Sequence, residues 1–407
     1  MTATTNGAWL AAPGIVCALG QGMDEVARRA LDGDGTGMVW QSGLLSGRDV
    51  LVGAAAGPLA AFADATPAHH RSRNNQLMLT AFAQIEAATR QAIARFGAAR
   101  IGVVIGTSTS GVADAVPAFR LRAREGHWPA SYDYRRQCLA APSACLAELL
   151  GTSGPAYTIS TACTSSARAL LSAKRLLDAG LCDAVICGGV DSLCPLTLAG
   201  FAAIEALSSQ RCNPCSAQRD GINIGEAAVL FLMQRQCPAE PAMALLGGGA
   251  SSDAWHMSAP DPTGAGAAAA MRAALADAGL TPADIGWVNL HGTGTPHNDA
   301  MESLAMQAVF GEGVACTSTK PMTGHTLGAA GALEAALCLA VLQRGNIGAN
   351  LPPHLWDGQA DPLLPRLNLT VPGQRLPAHG RRIVMSNSFA FGGSNAALIF
   401  GALENAA

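Results

Sequence analysis

Cys163 stands where a nucleophile could be made. It follows the β-prone run Pro155-Ala-Tyr-Thr-Ile-Ser-Thr-Ala162 and precedes Thr164-Ser-Ser-Ala-Arg-Ala-Leu-Leu171, which has helical spacing. The thiol is therefore expected at a strand-to-helix turn, where unpaired helix amides and the helix dipole favour the thiolate. A cysteine in isolation is more often a small buried hydrophobe. Two histidine segments change that balance. Asn289-Leu-His291-Gly-Thr-Gly-Thr-Pro296 sets a histidine at the end of an apolar strand, before a Gly/Thr loop through which a ligand could approach backbone and hydroxyls. Ser318-Thr-Lys320-Pro-Met-Thr-Gly-His325 sets a second histidine and a lysine before a helix of small residues that carries Glu334. A fourth segment, Asn387-Ser-Phe389-Ala-Phe391-Gly-Gly-Ser-Asn395, reads as an extended run into a glycine turn. There a backbone amide could face a developing oxyanion while phenylalanines control access.

The elements that must position these residues alternate between strand-length apolar runs and helical patterns, so the chain is expected to be α/β. Strands are predicted at 101–105, 156–160, 184–187, 229–233, 242–246, 287–290, 383–386 and 396–400. Helices are predicted at 75–96, 164–178, 265–278, 299–310 and 326–343, and Thr281-Pro-Ala-Asp284 reads as a helix N-terminus. The polar segment 234–241 could join halves 1–240 and 241–407, the first carrying Cys163 and the second His291, Lys320 and His325. Residues 31–75 and 108–140 mix periodicities, and the Pro-rich stretch 350–379 reads as irregular.

Composition narrows the partners. The chain is 49% hydrophobic and 14% charged, with 46 glycines and a formal net charge of −3, which suits closely packed elements and gives no basic field for nucleic acid or anionic lipid. Lys174 and Lys320 are its only lysines. The most apolar late stretch, Pro321 to Leu342, contains His325 and Glu334, so no membrane span is expected. Twelve scattered cysteines, with no basic n-region and apolar run at the N-terminus, point to reduced thiols in the cytoplasm.

Taken in order, the four segments resemble the β-ketoacyl-acyl-carrier-protein synthases of the thiolase superfamily, the elongating type with a Cys-His-His triad. The family's Thr-Ala-Cys-x-Ser context is matched by Thr161-Ala162-Cys163-Thr164-Ser165. The resemblance implies a thiolase-like fold, with two similar βαβαβ halves stacked in five α-β-α-β-α layers. It implies Cys163, His291 and His325 as catalytic residues supported by Lys320 and Glu334. It also implies an oxyanion hole from the amides of Cys163 and Phe391, with Phe391 as acyl gate. Thr293 and Thr295 would bind the phosphopantetheine arm, and Thr109, Phe201 and Phe389 would line the acyl site. The reaction implied is acyltransfer to Cys163, then decarboxylation of malonyl carrier protein and condensation to a 3-oxoacyl product. No metal or other cofactor is implied beyond the carrier's phosphopantetheine. The implied partners are acyl carrier protein and either a second copy or a chain-length-factor-like ketosynthase homologue.

A closer likeness lies in His70-Arg-Ser-Arg-Asn-Asn-Gln-Leu77, Gly106-Thr-Ser-Thr-Ser-Gly111, Ser251-Ser-Asp-Ala-Trp-His-Met-Ser-Ala-Pro260 and Phe389-Ala-Phe391. These look like the ketosynthases of aryl polyene and xanthomonadin-type pigment clusters. The wider family usually has glycine where Ala390 stands and often a bulkier apolar residue at Thr109. Alanine, which lacks glycine's access to positive φ, could thus alter gate movement, and Thr109, lining the tunnel as the matching position does, would make it smaller-walled and slightly polar. Housekeeping fatty acid elongation is the alternative.

Three other functions fit less well. A degradative thiolase should carry a second reactive cysteine in the last glycine loop, and none occurs from Phe391 to Asn395. A non-catalytic chain-length subunit usually lacks the nucleophile. A zinc site at Cys212-Asn-Pro-Cys215 would have only two ligands and no matching second pair. His297 and Asp299 could serve as ligands, but Asp299 is better read as opening the next helix.

Overall fold

The computed structural model describes residues 7–237, 243–343, 345–346, 348–377 and 382–402. Ten strands carry the architecture. The first five are β1 (Gly14–Cys17), β2 (Ile101–Gly106), β3 (Ala156–Ile159), β4 (Ala184–Asp191) and β5 (Ala227–Gln234). They lie side by side as β3-β2-β4-β5-β1, with β2 parallel to β3 and β4, and β5 antiparallel to β4 and β1. The second five are β6 (Met243–Ser252), β7 (Trp287–Asn289), β8 (Ala315–Thr317), β9 (Ile383–Phe389) and β10 (Ser394–Ala402). Their order is β8-β7-β9-β10-β6, with the same pattern of directions. The duplication is thus plain in topology, although side-chain identities scarcely show it. Trp9 and Leu10 pair antiparallel with both β5 and β6, which joins the two sets into one 13-stranded sheet.

Helices α1 (Arg73–Ala83), α2 (Glu86–Phe96) and α3 (Ala141–Leu150) cover the outer face of the first set, and α5 (Ala265–Ala278) with α6 (Pro296–Phe310) covers the second. Between the sets lie α4 (Ser165–Asp178) and α7 (Ala330–Leu342), packed on each other and on strands of both sets. Every residue of α7 is buried, as befits a helix apolar all round in a central layer. This is the layered, thiolase-like arrangement expected. Parallel strands β2 and β4 are buried along their whole length because helices cover both faces. Gly106 ends β2 where a side chain is impossible: a Cβ there would lie 2.4 Å from the backbone N of Ser166. That close approach sets the first turn of α4 directly against the sheet.

The predicted helix 75–96 is two helices. Gln84 falls at the break, where its side-chain amide accepts from Ile15 N (3.0 Å) and donates to Ile15 O (3.0 Å), committing to β1 the polarity that helix periodicity cannot reveal. The predicted helix 326–343 opens with a single 3-10 turn at Leu327–Ala329 and becomes regular only at Ala330. Thr281–Asp284 does form a capping box, but the helix it starts is one 3-10 turn. In the two poorly patterned regions lie a hairpin (Met38–Leu45 and Arg48–Gly53) and a helix (Val112–Glu125). Most of the segment joining the two halves lies outside the described residues.

Candidate active site

Cys163 occupies a sharp turn between β3 and α4. Ala162 has a left-handed backbone (φ 53°), costly for a residue with a Cβ unless its surroundings hold it. They do so with hydroxyls: Ser165 Oγ accepts from Thr161 N (2.9 Å) and donates to Ala162 O (2.6 Å), Thr164 Oγ1 donates to Thr161 O (2.8 Å), and Ser108 Oγ donates to Ala162 O (3.2 Å). The sulfur is thereby set two residues before the N-terminus of α4.

The other two members come from the second half. His291 leaves the end of β7, where its own N–H and that of Gly292 donate to the two oxygens of Glu302 on α6 (2.8 and 2.7 Å). His325 follows the short helix Lys320–Thr323, and its backbone is pinned by N–H donation to Asn223 O (2.7 Å) and acceptance from Gly225 N (2.9 Å). These anchors bring Cys163 Sγ to 2.9 Å from His325 Nε2. The two imidazoles meet edge to face with centroids 5.2 Å apart, and one atom of each of the three residues lies within 4.8 Å of the others.

Lys320, 2% exposed, stands behind them. Its Nζ donates to Glu334 Oε1 (2.6 Å) and His291 O, and lies 3.5 Å from His291 Nδ1. An ammonium facing Nδ1 requires a lone pair there, so this contact assigns the imidazole proton to Nε2. Burial and the Lys320 charge hold both histidines well below the usual imidazole range, with the neighbouring His325 adding to the effect on His291. Both are therefore neutral.

Electrostatics revise one expectation. Burial pushes the Cys163 thiol up to about 12; the Lys320 charge opposes it, while Glu334 and Asp191 reinforce it. The resting sulfur is a thiol in contact with an imidazole rather than a standing thiolate. Because the thiolate is the reactive form, alkylation of Cys163 by iodoacetamide in the free enzyme should climb steadily from about pH 6 to about pH 9. A plateau within that span would show a thiolate already present.

A cavity of about 440 Å³ opens over the triad. Phe201, Phe389 and Phe391 line it together with Thr293 and Thr295, whose hydroxyls are 2.9 Å apart. The rings of Phe201 and Phe391 stand 5.6 Å apart. Lys320 and Glu334 sit behind the triad and Thr109 lies elsewhere: the Thr109 hydroxyl donates to Asp191 (2.8 Å), so it lends this cavity no polarity. Ala390 lines the cavity with extended backbone (φ −110°, ψ 153°), comfortable for alanine; left-handed geometry falls on Gly392 and Gly393.

Cys212 and Cys215 are both buried, their turn fixed by donation from Cys212 N to Asn223 Oδ1 (2.7 Å) and from Cys215 N to Asp299 Oδ2 (2.8 Å). Among the described residues, the groups of three side chains close enough to share a metal are the triad and His69, His70 and Glu148; the C-x-x-C pair belongs to neither. Asp299 also accepts from Gly294 N (3.2 Å) and lies in the first turn of α6, as expected of an acid near the positive end of that helix, although the N-cap itself is Thr295. His297 is exposed at the cavity wall.

Glu302 carries no motif that marks it in the sequence, yet it holds the His291 turn. Burial pushes its carboxyl up to about 7 against two backbone amides. A weaker signal does exist: Asp299 and Glu302 are acids three residues apart on a helix whose neighbours Met301, Ala305 and Met306 are core.

Known proteins resemble this chain in both halves. Residues 60–239 match the family model described as beta-ketoacyl synthase, N-terminal domain, and residues 243–354 match its C-terminal domain. The chain is 35% identical to 3-oxoacyl-[acyl-carrier-protein] synthase 2 of Vibrio cholerae, over 74% of this chain and 76% of that one. It is 34% identical to the chloroplastic synthase II of Arabidopsis thaliana, over 77% of this chain and 59% of that longer protein. Among solved structures, the ketosynthase ApeO of Xenorhabdus doucetiae, in complex with its chain length factor ApeC, superposes with a TM-score of 0.91 at 44% identity, covering 99% of this chain and all of that one. A deep Cys-His-His cluster, a duplicated five-stranded topology and these matches lead to one assignment: the chain belongs to the beta-ketoacyl synthase family.

Proposed function

We propose that this chain is a β-ketoacyl-acyl-carrier-protein synthase, with Cys163, His291 and His325 as its reacting groups. The observation that carries the reading is the 2.9 Å contact of Cys163 Sγ with His325 Nε2, with His291 beside it, at the base of a phenylalanine-lined cavity. Cys163 attacks the carbonyl of a carrier-bound acyl thioester, the bond from that carbonyl to the carrier sulfur breaks, and the thiol proton passes to the displaced carrier sulfur. The amides of Cys163 and Phe391 hold the oxyanion. Malonyl carrier protein then loses CO₂, the bonding pair moves into the thioester enolate, and Nε2–H donors of His291 and His325 stabilise its oxygen. The enolate carbon attacks the acyl group, the bond to Cys163 breaks, and the freed sulfur takes up a proton.

In this scheme Lys320 and Glu334 fix the His291 tautomer, and Thr293 and Thr295 offer hydroxyls to the pantetheine arm. Phe391 gates the acyl site walled by Phe201 and Phe389. All groups used belong to the chain or to the carrier's phosphopantetheine. The catalytic unit would comprise halves 1–240 and 241–407. Acyl carrier protein is the substrate partner, as the names of the curated relatives suggest for them. A chain-length-factor-like homologue or a second copy is the structural partner; ApeO is a precedent for the former. Among the described residues no helix is long and apolar enough to cross a membrane, and the buried cysteines are thiols rather than disulfides, which suits a reducing cytoplasm.

The acyl chain proposed is an aryl polyene or related conjugated chain. The motifs at 70–77, 106–111, 251–260 and 389–391 support it, and saturated fatty acyl chains are the alternative. Loading the enzyme with carrier-bound saturated and polyenoic acyl groups and weighing the Cys163 adduct is the test. Preference for polyenoic chains is expected, and exclusive acceptance of saturated ones would overturn the pigment assignment while leaving the condensing chemistry.

A further inference from the structure

Asp191 ends β4 in full burial, and the reaction described above makes no use of it. Its Oδ1 accepts from Thr107 Oγ1 (2.7 Å), Ser108 N (2.9 Å), Thr109 N (2.8 Å) and Thr109 Oγ1 (2.8 Å). Its Oδ2 accepts from Ser108 N (2.9 Å) and from Gly328 N (2.6 Å). The three backbone partners are amides, which can only donate, and both hydroxyls are turned toward the same oxygen. Burial pushes the Asp191 carboxyl above its ordinary range, and the bonds from Thr107, Thr109 and Ser108 oppose that; the donor geometry decides for a carboxylate accepting at both oxygens, since a protonated acid would leave a donor unmatched.

Three loops therefore converge on one side chain: the turn after β2, the end of β4, and the segment just after His325. The first is tied onward to the nucleophile, because Ser108 Oγ donates to Ala162 O. Three of the turns in this region contain a left-handed non-glycine residue, namely Ser110 (φ 45°) after β2, Ala162 (φ 53°) beside the nucleophile and Leu327 (φ 53°) after His325. Such residues persist where surrounding bonds over-determine them. Gly328 shows how little room the clamp has: a Cβ there would lie 2.7 Å from Asp191 Oδ2 and 2.8 Å from Ser108 N.

We infer that Asp191 is a positioning residue for the condensing reaction, its carboxylate setting the separation between the Cys163 turn and the His325 loop. It touches no substrate and acts through Ser108 and Gly328. A second consequence follows from its charge, which stands near enough to Cys163 to oppose ionisation of the thiol. Asp191 thus favours reactive geometry while disfavouring the free thiolate, two effects that a substitution can separate.

This inference rests on the proposed condensing function for one of its two readouts. In Asp191→Asn, kcat for condensation should fall about ten- to a hundredfold with KM for malonyl carrier nearly unchanged, because misplacement of about an ångström has that scale of effect. Alkylation of Cys163 by iodoacetamide at a fixed mildly alkaline pH should become several-fold faster, since a negative neighbour has been neutralised. Gly328→Ala keeps the charge and forces the clamp apart, so condensation should fall without faster alkylation. Ser108→Ala, a mild change that keeps every backbone bond to Asp191, should lower kcat a few-fold and serves if either other variant fails to fold. Wild-type kcat in Asp191→Asn and in Ser108→Ala, or unchanged alkylation in a folded Asp191→Asn protein, would overturn the inference. A wild-type enzyme unable to condense malonyl carrier would instead sink the condensing assignment and leave the alkylation comparison to decide on Asp191.

Discussion

Cys163→Ala is expected to abolish condensation while leaving a folded protein. The two halves of that outcome have separate physical grounds. Without the sulfur no acyl-enzyme can form, and loss of a covalent nucleophile typically costs on the order of 10⁴-fold or more in turnover. The fold should survive because the turn at 161–165 is held by the hydroxyls of Ser108, Thr164 and Ser165, none of which bonds to the sulfur. Cys163→Gln tests the same assignment from the other side. Its amide places a carbonyl where an acyl group would sit, so malonyl decarboxylation should rise although no condensation follows. Product release by mass spectrometry and CO₂ release measured together give the answer. Turnover at the wild-type rate by the alanine variant would remove Cys163 from the mechanism, and unchanged decarboxylation by the glutamine variant would remove the acyl-mimic reading.

Much of the architecture is legible in periodicity because its strongest signals are local. The apolar runs at 101–105 and 184–187 fall within strands 101–106 and 184–191, buried on both faces, and a short, continuous apolar run between helical patterns is what a parallel strand covered by helices on both sides requires. Helix 265–278 matches its predicted bounds to the residue, since Gly264 and Gly279 bracket it in left-handed conformations. The misplaced boundaries have long-range causes. Nothing near Gln84 in sequence indicates that Ile15, 69 positions earlier, will claim its side chain and interrupt a helix.

The site divides in the same way. Cys163, His291 and His325 announce themselves because each sits in a turn that a core alone would not require, while Lys320 and Glu334 are marked by the family resemblance. Glu302 and Asp191 do not, because a carboxylate that binds backbone amides leaves no pattern except an acid among apolar neighbours. Thr109 shows the converse. Its type suggests a polar lining, but Asp191 takes the hydroxyl, and only the three-dimensional partner reveals that. The thiol's expected acidity likewise rests on a helix terminus alone, whereas burial in the folded protein is the larger influence.

His291→Ala and His325→Ala should separate the two stages of the reaction. In each variant Cys163 should still be acylated, because the attacking sulfur and the turn that holds it remain. Decarboxylation of malonyl carrier should fall about 10²- to 10³-fold, the usual effect of removing one donor from a buried oxyanion site, about 3 to 4 kcal/mol. Neutrality is the reason both histidines can act as donors without a prior proton: burial and the Lys320 charge keep them uncharged imidazoles throughout the physiological range. The sign of the pH effect follows. Since both folded-state values lie well below the ordinary histidine range, decarboxylation should show no histidine step on going from about pH 8 down to about pH 6, where an unperturbed imidazole would protonate. The variants differ in one respect. His325→Ala also deprives the sulfur of its 2.9 Å partner, so its acylation should be slowed, while that of His291→Ala should match wild type. Intact-mass measurement of the acyl-enzyme beside CO₂ release reads both stages. Variants that fail to acylate at all, or that decarboxylate normally, would break the assignment of the two imidazoles to the enolate.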